Sequence, residues 1–202
     1  EWARAYTGPR FHAVMCDPPY ELGFMGRKWD SSGVAFNPDT WAAIASVCKP
    51  GAMLLAFGGT RTFHRIAVAI EDAGWEIRDT VMWVYGQGFP KSHDVSKAID
   101  REAGAVREVV GAGPYAARRP RHETVSVSAY GDGLGDAGSA LITAPSTAAA
   151  AQWDGYGTAL KPAYEPIIVA RLPLDGTVAH NAQTHGTGAL AIDACRVPAE
   201  PE

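Results

Sequence analysis

The sequence predicts an α/β fold with parallel strand pairing, on three observations. Two short, near-continuous apolar runs, Phe11 to Cys16 and Ala52 to Phe57, have the length and composition of parallel strands covered on both faces. The segment between them carries apolar residues at helical spacing, and a second such segment follows the second run. Strand, helix and strand in that order make a βαβ unit, whose crossover helix packs on the sheet.

Each element has its own signals. Asn37 or Asp39 caps the first helix, whose residues Trp41, Ile44, Ala45 and Cys48 share a face, and Pro50-Gly51 is expected to end it. After the Gly58-Gly59 turn, Thr60 is the expected cap of a helix running to about Ala73. Phe63, Ile66, Ala67 and Ile70 form its apolar stripe, and Gly74 closes it. Thr80 to Tyr85 reads as a third strand and the β-branched run Ile167 to Ala170 as a fourth. A short helix, Val95 to Ala103, fits between Asp94 as cap and Gly104 as stop. Residues 105–155 change character. They are rich in Gly, Ala and Ser, include "GDGLGDAG" and "TAAAAQW", and read as a loop-rich excursion that either helps to recognise a target or is a disordered insertion.

Composition bounds the function classes. The chain has 202 residues, 47% of them hydrophobic, and a net charge of −4. That is enough for one domain with an elaborated insertion. No apolar run is long enough to span a membrane and residues 1–10 are not a signal peptide, so a cytoplasmic location is expected. The negative balance argues against a protein that coats nucleic acid by bulk attraction, although charge is locally concentrated. Arg118, Arg119 and Arg121 form one basic cluster, with Lys91 and His93 a smaller one; each is a phosphate contact or a solvated loop. Cys16, Cys48 and Cys195 are far apart and odd in number, which implies neither a disulfide framework nor a zinc knuckle. His180 and His185 lack acidic or cysteine partners at ligand spacing, read as loop histidines, and no metal is expected. "GDGLGDAG" and "HGTGAL" lack the preceding strand and following helix that give a nucleotide-binding glycine string its meaning.

The chemistry concentrates at Asp17-Pro18-Pro19-Tyr20, directly after the first apolar run. An acid at the carboxyl end of such a strand projects into the crevice where open α/β sheets bind ligands. The two prolines stiffen the loop and remove N–H donors, leaving the Asp17 carboxylate and the Pro18 carbonyl as acceptors beside an aromatic ring. That set suits a flat heterocycle with an exocyclic amino group: an adenine or cytosine extruded from a duplex, stacked on Tyr20. Pro19 sets the angle between Tyr20 and Asp17. Gly58 and Gly59 either let a ligand approach the backbone closely or serve the turn alone.

The motif and its surroundings resemble the amino-methylating DNA methyltransferases, which modify adenine N6 or cytosine N4 and carry a [D/N/S]-P-P-[Y/F/W] motif. "CDPPYELGFMGRKWD", "LLAFGGTRTFHR", "AGWEIRDTVMWVYGQGFPKSHD", "YGTALKPAYEPIIVAR" and "HGTGALAIDACRV" are similar, in collinear order, to segments of phage and bacterial members. The resemblance implies S-adenosylmethionine as methyl donor, double-stranded DNA as partner, and Asp17, Pro18, Pro19 and Tyr20 as catalytic residues. It also implies that Asp17, Phe57, Gly58 and Gly59 border the donor, and that Phe24, Trp29 and Asp30 either line the base pocket or pack the loop. The family's glycine-rich donor loop has no counterpart here. The expected fold is therefore a partial Rossmann-like methyltransferase sheet: a catalytic half-domain over residues 1–104, an insertion over 105–155 and a return over 156–202. The chain is therefore expected to be either a fragment or one part of a split enzyme, with a second polypeptide then supplying the donor-binding half. Adenine N6 methylation is the leading expectation. Cytosine N4, an RNA or protein-glutamine substrate, and a non-catalytic nucleic-acid-binding remnant are the alternatives.

Overall fold

The computed structural model describes residues 2–23, 28–86, 92–112, 141–160 and 163–197, the side chain of Trp29 excepted. In chain order the elements are α1 (Trp2–Ala5), β1 (Phe11–Cys16), two 3-10 turns (Lys28–Ser31 and Val34–Phe36), α2 (Pro38–Ala45), β2 (Cys48–Phe57), α3 (Phe63–Asp72) and β3 (Glu76–Val84). Then come α4 (Val95–Glu102), β4 (Val109–Ala112), β5 (Leu141–Thr143), α5 (Ala148–Gln152), β6 (Tyr164–Arg171), α6 (Val178–His185) and α7 (Ile192–Cys195). They divide into two compact units, residues 1–84 with 164–202, and residues 85–163. No helix among the described residues is long and apolar enough to cross a membrane.

The first unit carries a four-stranded sheet in the order β1-β2-β6-β3. β1 pairs parallel to β2, and β6 lies antiparallel to both β2 and β3, so the α/β class is as expected and three of the strands share one direction. One face is packed by α2 and α3: Leu54, Ala56, Ile168 and Ala170 from the sheet meet Trp41, Ile66, Ile70 and Trp75, each at most 2% exposed. The indole N–H of Trp41 donates to Ala35 O (2.9 Å) and that of Trp75 to Trp41 O (3.2 Å), so both rings are buried with their polar atoms satisfied.

Several expected boundaries move. Asn37 is the cap of α2, its side chain accepting from the Asp39 N–H at 2.9 Å with Pro38 in the first turn. The helix nevertheless stops at Ala45, and Pro50-Gly51 belongs to β2. Gly51 has φ 71°, and a Cβ there would stand 2.4 Å from Asn181 Nδ2. These residues bend the strand around the buried Asn181, which also donates to Pro50 O and Thr187 O. α3 begins at Phe63, after a turn in which Gly59 O accepts from the N–H groups of Thr62 and Phe63, so Thr60 lies outside the helix. His180 and His185 lie on α6 and both face Asp175, His185 at 2.9 Å. β1 is not covered on both faces. Among the described residues it pairs with β2 alone, and Met15 is 74% exposed.

The second unit forms around a polar centre. Asp94 caps α4, accepting from the Lys97 N–H at 3.0 Å, and Asp100 on that helix is 1% exposed. Asp100 accepts from Arg107 (2.7 Å), from the N–H groups of Ser146 and Thr147, and from the Thr147 hydroxyl (2.8 Å). Arg107 and Thr143 in turn fix the β4–β5 hairpin. "TAAAAQW", expected in a loop, is α5: Thr147 Oγ1 caps it by accepting from the Ala150 N–H, and alanine is the strongest helix former.

Two stability predictions follow from these cores. Ile70→Ala is expected to cost about 2–5 kcal/mol, read by urea unfolding. Burial works to raise the Asp100 carboxyl, but hydrogen bonds from Ser146 and Thr147 and the Arg107 charge outweigh it and hold the group below the usual carboxylate range. A depressed folded-state value stabilises the fold above the unfolded value of about 3.9 and is lost as pH falls through the folded value. The thermal midpoint should therefore fall on acidification, and Asp100→Asn should lower it at neutral pH while removing part of that acid dependence.

Candidate acceptor site at the end of β1

β1 ends at Cys16 and delivers Asp17 to the carboxyl end of the sheet, the same end at which β2 finishes with Phe57. Pro18 and Pro19 contribute no N–H, so the loop is held by the residues after them. Glu21, with φ 55°, is the hub. Its carboxylate accepts from Gly33 N–H (2.8 Å), the Ser32 hydroxyl (3.2 Å) and Ala35 N–H (3.4 Å). Its own N–H donates to Asp30 Oδ1 at 3.0 Å, while Gly23 N–H donates to Asp30 O. Asp30, 3% exposed, thus packs the loop. A non-glycine residue in the left-handed region is retained where its surroundings fix it, and the Glu21 contacts do so.

Tyr20 is half-buried against the Gly58-Gly59 turn. A Cβ on Gly59 would stand 3.3 Å from Tyr20 Cδ2 and 3.5 Å from Leu22 Cδ1, and one on Gly58 would meet Phe63 Cβ at 2.9 Å. Close approach of α3 therefore requires glycine at 58, while Gly59 fits closely against the tyrosine ring, and neither has a positive φ. Gly58 N–H donates to Pro166 O at 3.0 Å, which ties this turn to β6. Thr62 Oγ1 is buried beside Gly59, 3.2 Å from that Cβ position, with no hydrogen-bond partner among the described residues.

Burial first, then the neighbouring carboxylates of Asp17 and Glu165, push the Tyr20 phenol far above its ordinary value. It stays protonated, a donor facing two acids. Burial likewise pushes the Cys16 thiol up to about 11, with the Asp17 charge adding to it.

Glu165 and Trp83 are functional-site candidates that the sequence reading missed. They are directly paired across β6 and β3, and Ile167 is paired with Phe57 across β6 and β2. Paired residues share a face, as do residues two apart, so Phe57, Glu165 and Trp83 lie on one side of the sheet. The Phe57 and Trp83 rings are 6.5 Å apart, and Trp83 is 57% exposed. The available signals were an acid heading an otherwise apolar strand and a tryptophan near the end of another.

Of the other candidates, His93 is exposed and belongs to the second unit, where its N–H donates to Thr158 Oγ1 at 2.9 Å. Ser92 Oγ accepts from the N–H groups of Thr158 and Ala159, pinning this segment to its own unit. Phe24, Lys91, Arg118, Arg119 and Arg121 lie outside the described residues, as does the Trp29 side chain.

The Asp17 influence on Cys16 gives a test of the site geometry. Asp17→Asn removes an anion that disfavours the thiolate, so the Cys16 value moves down and its alkylation by iodoacetamide at pH 8 speeds up. Peptide mapping reads Cys16 apart from Cys48 and Cys195. An unchanged rate at Cys16 would contradict this geometry.

Residues 11–127, more than half the chain, match the N6/N4 methylase family model, described as DNA methylase. The crystal structure of the M1.HpyAVI–SAM complex is similar at 13% identity and a TM-score of 0.36, over 81% of this chain and 45% of that one. The crystal structure of M1.HpyAVI gives 14% identity and 0.36, over 82% and 46%. The chain spans less than half the length of either. No curated protein matches it. The family match takes in the whole of β1, the Asp17 to Tyr20 loop and the glycine turn against which Tyr20 packs. By that match, the chain belongs to the N6/N4 DNA methylase family.

Proposed function

We propose that this chain is the base-holding half of a DNA methyltransferase that methylates the N6 amino group of a flipped adenine. The observation that carries the reading is the placement of Asp17 and Tyr20: an acceptor and a ring face fixed side by side at the carboxyl end of β1, on a loop braced by Glu21 and Asp30. Asp17 accepts one amino hydrogen of the target and the Pro18 carbonyl accepts the other. This draws the nitrogen lone pair out of conjugation with the ring and aims it along the line of attack. Tyr20 stacks on the base, and the surplus proton leaves once the nitrogen has become cationic.

S-adenosylmethionine, when bound, supplies an electrophilic sulfonium methyl group. The residues at the strand ends fit such a group: Asp17 offers a negative charge, Phe57 a ring, and Thr62 Oγ1 an unsatisfied buried hydroxyl beside Gly59. β1 supports a division of labour. Its second edge has no strand partner among the described residues, and a second polypeptide carrying the donor-binding half would extend the sheet there. Target recognition is assigned to residues 105–155. Arg118, Arg119 and Arg121 fall in that stretch and are assigned to the phosphates of double-stranded DNA. Phe24, Trp29, Lys91 and His93 are assigned to the same partner.

The test is methyl transfer from labelled donor to DNA, with and without a supplied donor-binding polypeptide, followed by nucleoside analysis. N6-methyladenine is expected; N4-methylcytosine would shift the assignment to the other base. Asp17→Ala is expected to reduce transfer by at least about 100-fold while DNA affinity stays within about twofold. Activity persisting in that variant would sink the catalytic assignment.

A further inference from the structure

The carboxylates of Asp17 and Glu165 both act on the phenol of Tyr20, and the acceptor mechanism uses only one of them. Glu165 lies on β6, far from the motif in sequence, in register with Trp83 and on the same side of the sheet as Phe57. It immediately precedes Pro166, whose carbonyl accepts the Gly58 N–H, and Gly59 in turn lies against the Tyr20 ring. A continuous run of contacts therefore leads from β6 through the glycine turn to the tyrosine. The phenol is half-buried and kept protonated by its surroundings, so it is available as a donor. Asp17 in the proposed mechanism is occupied by the target amine. Glu165 is the acid left over.

We propose that Glu165 is a positioning residue for the target base: its carboxylate takes the Tyr20 hydroxyl when Asp17 turns to the amine, and so fixes the plane of the ring on which the base stacks. This rests on the reading of Asp17 and Tyr20 given above. A tyrosine ring after two prolines is set at its Cα end by the backbone, but only a hydrogen bond at the far end fixes its tilt, and stacking depends on that tilt. Glu165 also sits on a strand paired on both sides, between β2 and β3. A rigid element positions an orienting group more precisely than a loop does.

The experiment separates the contact from the function. The protein is labelled with 3-fluorotyrosine, and the Tyr20 fluorine resonance is assigned by its loss in Tyr20→Phe. Glu165→Ala and Glu165→Gln both remove the negative charge, so the ionisation midpoint of the Tyr20 resonance falls toward that of free fluorotyrosine in both. A midpoint unmoved in the two variants overturns the proposal. Glutamine keeps an acceptor oxygen and alanine does not. In methyl-transfer assays Glu165→Ala should therefore raise KM for DNA about tenfold or more, with a smaller change in kcat, as loss of an oriented stacking contact would. Glu165→Gln should stay within about twofold of wild type, and adding Glu165→Ala to Tyr20→Phe should cost nothing further. A glutamine variant as impaired as the alanine one, or an additive double variant, overturns the positioning role. Wild-type protein that transfers no methyl group, even with the donor-binding polypeptide supplied, sinks the functional reading instead. The fluorine midpoint then still decides whether Glu165 holds Tyr20.

Discussion

The first unit depends on the insertion of β6 between β2 and β3. β3 has no other strand partner among the described residues, and β2 has only β1 on its other side, so β6 is what makes one sheet of two pieces. Its core-facing residues, Ile168 and Ala170, are at most 1% exposed, and they pack on the same cluster as Leu54 and Ala56 of β2. The same strand fixes the site. The Pro166 carbonyl holds the Gly58 N–H, and Glu165 stands beside the phenol of Tyr20. Proline in a sheet interior normally costs a ladder bond, but here the carbonyl it retains supplies the contact that matters to the turn.

The acids of this region are divided by what satisfies them. Glu21 and Asp30 are bonded to backbone N–H groups and serve the shape of the loop. Asp17 and Glu165 act on the Tyr20 hydroxyl instead. A loop that begins with two prolines cannot brace itself through its own first N–H groups. The task passes to Glu21, four residues after Asp17 and in a backbone conformation that its carboxylate contacts maintain. The carboxylates that brace the loop are thereby different from the two that face the phenol.

Much of this was legible in the sequence because it is local. The strands, the caps at Asn37 and Asp94, the helix stops at Gly74 and Gly104, and the Asp-Pro-Pro-Tyr loop all follow from residue type and short-range spacing. What escaped depends on distant partners. Pro50-Gly51 reads as a helix stop until Asn181, far along the chain, is seen to require the bend. β3 begins earlier than its apolar run because Glu76 pairs with Arg171 of β6, which no local pattern reveals. α5 was hidden by composition: four alanines within a glycine- and serine-rich region look like low complexity until Thr147 is recognised as their cap. Glu165 was invisible for the same reason as the antiparallel insertion of β6, since periodicity locates a strand but not its neighbours.

The late position of β6 in the chain has a kinetic consequence. β1 and β2 are joined by a short crossover and can pair early, whereas β6 must return across a long intervening stretch before it can close the sheet. Contacts of such high sequence separation form slowly, because the entropy of loop closure is lost before the pairing rewards it. A folding intermediate with β1 and β2 paired would already display Asp17 and Tyr20, but without Glu165 and without Pro166 to hold the glycine turn. The surroundings of Tyr20 are thus complete only once β6 has paired with β2.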